Sequence, residues 1–135
     1  MIDVEATREY FKGDRFCLQN GIIIDSITEE SAVCTVEIKD HHLNALDTVQ
    51  GGLIFTLADF TFAVHAIASG KKTVLRSADI TYIKPARGTK LIGKAIPISA
   101  GRNTCLYRAE IFDDRDVLIA YAVLNGYILE SKPGK

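Results

Sequence analysis

The hydrophobic pattern of this chain changes period several times, and each change marks an element. Near the start Val4, Tyr10 and Phe11 punctuate a charged stretch, which predicts a short amphipathic helix through about Lys12, capped by Asp3 and stopped by Gly13. From Gly21 to Ile38 two β-branched runs, GIIIDSIT and AVCTVEI, flank Glu29-Glu30-Ser31 and predict a hairpin. Lys39 to Gln50 is polar and irregular. Gly51 to Ser69 is then apolar at nearly every position, so a helix there has no polar face and must be covered almost all round. After Gly70-Lys71-Lys72 the pattern reads as strands, at 73–83, 90–100, 104–112 and 117–128. Lys84-Pro85 ends the first of them, because proline cannot donate to a ladder. Gly101-Arg102-Asn103 and Asp113-Asp114-Arg115-Asp116 are the turn-like separators of the others. In the third strand Cys105, Tyr107, Ala109 and Ile111 alternate with polar and long side chains, a half-buried antiparallel pattern. The tail ESKPGK is predicted to be disordered. The order is helix, hairpin, long buried helix and four meandering strands. It predicts an α+β fold in which a strongly curved antiparallel sheet surrounds the long helix, aided by a partner subunit. Residues 1–135 read as one domain.

Composition narrows the function. The net charge is -1, with no block of like charges, so neither nucleic acid nor an anionic membrane surface is expected as partner. The apolar run at Gly51 falls at or below the length of a membrane span, and Asp59 and His65 interrupt it. Cys17, Cys34 and Cys105 are odd in number and widely spaced, which fits reduced, buried thiols in a cytoplasm rather than disulfides or zinc. Three histidines, two of them adjacent, offer no metal-ligand spacing.

The candidate chemistry sits in the apolar helix. Asp59 is the only formally charged side chain between Leu53 and Ala68, where a charge costs several kcal/mol unless it is paired or hydrogen-bonded. A structural carboxylate is one reading of it, and a catalytic one is the other. His65, six positions on, shares no face with it and reads as a core or interface histidine. Gly51 and Gly52 place bare backbone at the first helical turn, where N–H donors and the positive end of the dipole suit a developing oxyanion. Eight residues separate Gly51 from Asp59, about 12 Å along one helix. One carbonyl has to meet its polarising donor and its base within about 3 Å. If both residues act, Asp59 comes from a second subunit whose helix runs antiparallel alongside, and function requires a dimer.

The segment HHLNALDTVQGGLIFTLADFTFAVHA resembles the hot-dog-fold thioesterases of the phenylacetic-acid-degradation and 4-hydroxybenzoyl-CoA thioesterase type. Their signature is approximately H-x-N-x-x-G-x-x-H-G-G-x-x-x-x-L-x-D, and His42, Asn44, Gly51, Gly52, Leu57 and Asp59 fall on it. The likeness runs from about Gly21 to Ile128. It implies the hot-dog fold, hydrolysis of an acyl-coenzyme A thioester, and shared sites in a dimer, with pairs of dimers forming tetramers. Coenzyme A is then part of the substrate, and no separate cofactor is implied. The roles carried over are nucleophile or general base for Asp59, carbonyl polarisation through the backbone N–H for Gly51, and positioning of the thioester or water for Asn44. Gly52, His42 and Gln50 complete the expected substrate contacts. Gln50 stands where the family carries histidine, and an amide cannot titrate. Asp47 replaces a glycine, which suits a residue that tolerates left-handed backbone. Thr61 and Ser77 are candidates for the family's additional hydroxyl. Lys84, Arg87 and Arg102 flank strand ends and are the candidates for meeting the coenzyme A phosphates. Phe55, Phe60, Phe62 and Tyr82 are candidates to line the acyl pocket. A hot-dog hydratase or dehydratase and a non-catalytic acyl-CoA sensor are the competing readings; the first lacks its histidine here.

Overall fold

The computed structural model describes residues 1–131. Helix α1 (Val4–Phe11) is capped by Asp3, whose carboxylate accepts from the Ala6 N–H at 3.0 Å. A second short helix, α2 (Arg15–Gln19), is capped in the same way by Asp14. The hydrophobic pattern did not predict α2, because five residues are too few to show a period. Strands β1 (Ile22–Ile27) and β2 (Ala32–Glu37) form the expected hairpin. A 3₁₀ turn (Asp40–His42) leads through an irregular loop to α3 (Gly51–Ala68). Then come β3 (Lys71–Tyr82), β4 (Lys90–Ala100), β5 (Thr104–Asp113) and β6 (Leu118–Ser131).

All strand pairs are antiparallel, and the order across the sheet is β1-β2-β4-β5-β6-β3. The expected four-strand meander therefore holds only for β4, β5 and β6. Strand β2 occupies the edge of β4 that β3 would need, so β3 takes the far edge beside β6. The expected disorder of the tail is also corrected at its start: Glu130 and Ser131 belong to β6, and Ser131 pairs with Lys71. The rest of that tail lies outside the described residues.

The sheet curls around α3, which touches all six strands. Among the described residues α3 is the one helix long and apolar enough to cross a membrane, yet 61% of it is buried inside the fold. Its apolar surface forms the core with Leu91, Ala95, Ala109, Ile111, Ala122 and Leu124. Two glycines let helix and sheet approach this closely. A Cβ on Gly93 would lie 2.9 Å from Leu57 and 3.0 Å from the Thr61 hydroxyl. One on Gly126 would lie 2.8 Å from both Phe62 and Cys105 and 2.6 Å from Thr73. Because Phe62 is fully buried it cannot turn aside. Gly126→Ala is expected to cost about 1–3 kcal/mol by overpacking, read as a lowered urea midpoint at unchanged slope.

His65 is a core residue, as its position implied. The Tyr107 hydroxyl donates to its Nδ1 at 2.6 Å, and its Nε2–H points at the carbonyls of Thr28 (3.1 Å) and Glu29 (3.0 Å). Those bonds pin the β1–β2 turn to α3 and suit the neutral ring. Burial, the largest cause, holds its pKa below the usual 6.5, against the pull of the two carbonyls. The unfolded chain then takes up the proton first. The stabilisation by neutral His65 is complete above about pH 6.5 and is lost as pH falls through that value towards the folded pKa. His42, also held low chiefly by burial, acts in the same direction. Urea midpoints are expected to fall between pH 7 and pH 5, with a shallower slope in His65→Gln.

Candidate active site

The loop before α3 is built by Asn44. Its Oδ1 accepts from the N–H groups of Leu46 (2.9 Å) and Thr48 (3.2 Å), and its Nδ2 lies 3.0 Å from the Thr48 hydroxyl. One Nδ2 hydrogen remains to be donated. Asp47 takes the left-handed conformation at φ 59, as its place at a family glycine requires. The loop is tied down where Val49 N–H donates to the Ala86 carbonyl and Gln50 N–H to that of His42.

Helix α3 begins without a side-chain cap. Gln50, the N-cap residue, is exposed and makes no capping bond. The amides of Gly51 and Gly52 donate to no group among the described residues. Gly51 lines a cleft of about 340 Å³ whose walls also include Ile54, Tyr82 and Lys84. Two uncapped donors at the positive end of an 18-residue helix are suited to stabilising an oxyanion there.

Asp59 lies two turns along the same helix and is half-buried. Among the described residues no hydrogen-bond donor or cation reaches its carboxylate. Burial, and then the charge of Asp14 at the cap of α2, raise its pKa above the ordinary carboxylate value. A structural aspartate in this position would be satisfied; this one is not. An unpaired, destabilised carboxylate has the properties of a base. The unbroken helix keeps it about 12 Å from Gly51.

The other expected site residues divide. Lys84 lines the cleft, and exposed Arg87 follows buried Ala86 at its wall. Ser77 is exposed on β3 beside the bulge after Leu75, not at the cleft. Arg102 sits in the β4–β5 turn, at the opposite end of its own protomer's sheet from the β3–β4 connection that carries Lys84 and Arg87. Alternation of strand direction already implied this separation. Thr61 is fully buried, donates to the Leu57 carbonyl, and packs against Gly93. His42 is 3% exposed, with its Nδ1 accepting from Lys39 N–H and its Nε2 without a partner among the described residues. Of the aromatic candidates, Phe60 packs on Phe11 and Phe62 on Tyr107 in the core, so neither lines a pocket in the protomer. Burial raises the thiols of Cys17 and Cys34 to about 12, which removes them as nucleophiles at neutral pH. A larger groove, about 680 Å³, lies between Ile23, Val33 and Ile92 and contains neither Asp59 nor Gly51.

Comparisons with known proteins identify the family and the fold. The family model described as the thioesterase superfamily matches residues 46–120, a stretch that includes Gly51, Asp59, Ser77 and Lys84. A putative esterase of Archaeoglobus fulgidus is 35% identical over 122 residues, covering 88% of this chain and 79% of that protein. The acyl-coenzyme A thioesterase PaaI of Escherichia coli is 29% identical over 111 residues, covering 82% and 79%. The solved structure of E. coli PaaI superposes with a TM-score of 0.86 at 25% identity, over 92% of this chain and 91% of that one. A family match over more than half of its length, and a sheet curled around one central helix as in PaaI, show that the chain belongs to the thioesterase superfamily and has the hot-dog fold.

Proposed function

We propose that the protein hydrolyses acyl-coenzyme A thioesters in a site shared between two subunits. The observation that carries this is the pair of uncapped amides on Gly51 and Gly52, on the same helix as an unpaired carboxylate too far away to serve them. In this reading the thioester oxygen accepts from the Gly51 N–H, and the acyl-CoA phosphates lie towards Lys84 and Arg87. Asp59 of the partner subunit takes a proton from water, which adds to the carbonyl carbon. The tetrahedral intermediate expels the coenzyme A sulfur, which leaves as the thiol once protonated, and the products are a carboxylic acid and free coenzyme A. Asp59 attacking directly would reach the same products through an anhydride. Asn44, with one Nδ2 hydrogen unused, positions the thioester or the water. The substrate supplies its own coenzyme A, and no further cofactor enters.

Strand β3 supports the second subunit. It is twelve residues long and bonded to β6 on one side only, and Ser77, Ala78 and Asp79 are exposed along it. A long open edge of this kind is a template for another strand. Two copies joined there about a two-fold axis would extend the sheet and bring two α3 helices alongside, antiparallel. Pairing of such dimers into a tetramer follows the family resemblance. Three free, buried cysteines are consistent with a reducing compartment such as the cytoplasm.

Release of thiol from a panel of short, medium, long and aromatic acyl-CoA thioesters tests the activity, with a protein-only blank for the cysteines. Turnover of at least one class is expected. Micromolar binding without turnover of any would replace the enzyme with an acyl-CoA sensor.

A further inference from the structure

Tyr82 is the last residue of β3 and forms part of the cleft wall. Its position is specific. It pairs with Ala120 of β6, which is fully buried, so its side chain lies on the helix-facing side of the sheet. Its hydroxyl donates to the Gly51 carbonyl at 3.0 Å. Its ring lies 3.4 Å from where a Cβ on Gly51 would be, so it covers the bare α-carbon directly. The side chain is nevertheless 47% exposed, and burial raises its pKa, so it stays a hydrogen-bond donor at neutral pH.

The bond matters because of which peptide it holds. The Gly51 carbonyl and the Gly52 N–H belong to one planar unit and point in opposite directions. A donor on that oxygen fixes the tilt of the plane and polarises the unit, which strengthens the N–H on its other side. Two successive glycines make this the most freely rotating peptide of the helix, at an end with no side-chain cap to restrain it. The helix alone leaves its first turn free to fray, whereas a phenol anchored on a strand does not move with it. We infer that Tyr82 is a positioning residue that locks the Gly51–Gly52 peptide, and with it the Gly52 N–H that stands beside the Gly51 donor, in the geometry that receives the thioester carbonyl. The inference rests on the thioesterase reading for its consequence but not for its geometry. It also ties the donors to β3, the strand on whose free edge the second subunit is proposed to dock.

Tyr82→Phe tests it, because the ring contact stays and only the hydroxyl is removed. Two readouts are needed. In the ¹⁵N–¹H spectrum the Gly52 amide resonance is expected to shift and its hydrogen exchange to quicken, while amides in the middle of α3 stay in place. In the acyl-CoA assay kcat is expected to fall about tenfold, the size of one lost hydrogen bond, with KM and the thermal midpoint unchanged. Tyr82→Leu, which also loses the ring, should lose more in kcat than Tyr82→Phe. An unmoved Gly52 resonance, or a kcat equal to wild type, would overturn the inference. So would a kcat loss that tracks a fall in thermal midpoint, since that marks support of the fold and not of the donors. If the wild-type protein turned over no thioester but the Gly52 resonance shifted, the positioning would stand and the thioesterase reading would fall.

Discussion

Asp59→Asn is expected to lower thioester hydrolysis by about 10²-fold or more without lowering thermal stability, the loss typical of a removed general base. Both halves follow from the same surroundings. No donor or cation among the described residues reaches the carboxylate, so the substitution breaks no hydrogen bond. Burial and Asp14 disfavour its charged form, so at neutral pH the protein holds a carboxylate that the fold disfavours. Asparagine has nearly the same volume and no charge, and the thermal midpoint should stay or rise. A structural aspartate gives the opposite pair of results, with stability falling and turnover kept. Parallel thermal melts and initial rates on wild type and variant separate the two.

Breaking the β3 edge is expected to cost as much as losing Asp59. Ala78 is exposed and lies near the middle of that strand, opposite Leu124 of β6. Ala78→Arg puts a long charged side chain on the helix-facing side of this free edge, at an exposed position where a second subunit would pack. Sedimentation should show a monomer, and turnover should fall by about 10²-fold because each site then lacks its carboxylate. Folding should persist, since α3 is packed by the strands of its own chain. Full activity in a monomer would mean that the donors and the base meet within one protomer.

Much of this was legible in the sequence, for reasons of period. An apolar helix with one charge is visible because eighteen residues give many turns of consistent signal, and turn residues punctuate the later strands. The strand order was not legible. Alternation shows that β3 has two faces, but not which strand it pairs with, and pairing was settled by β2 taking the edge of β4. For the site, residues whose backbone acts were easiest to find, because Gly51 and Gly52 have no side chain to be engaged elsewhere. The burial of His42 and Thr61 was not legible, because spacing does not reveal which polar groups the fold encloses. Tyr82 had no local signal for its bond to Gly51, which joins residues 31 apart in the chain.

The central claim is that Gly51 of one subunit works with Asp59 of the other, and subunit mixing tests it most directly. Gly51→Pro removes the N–H yet suits a first helical position, and Gln50 at ψ 131 already has the extended backbone that a following proline requires. Asp59→Asn and Gly51→Pro are each expected to be nearly inactive alone. Unfolded together and refolded at equal amounts, they should form hybrids with one intact site of two, restoring about a quarter of wild-type turnover. A mixture no more active than its parents, with hybrid formation verified by mass, would contradict the shared site and place both groups' work within a single chain.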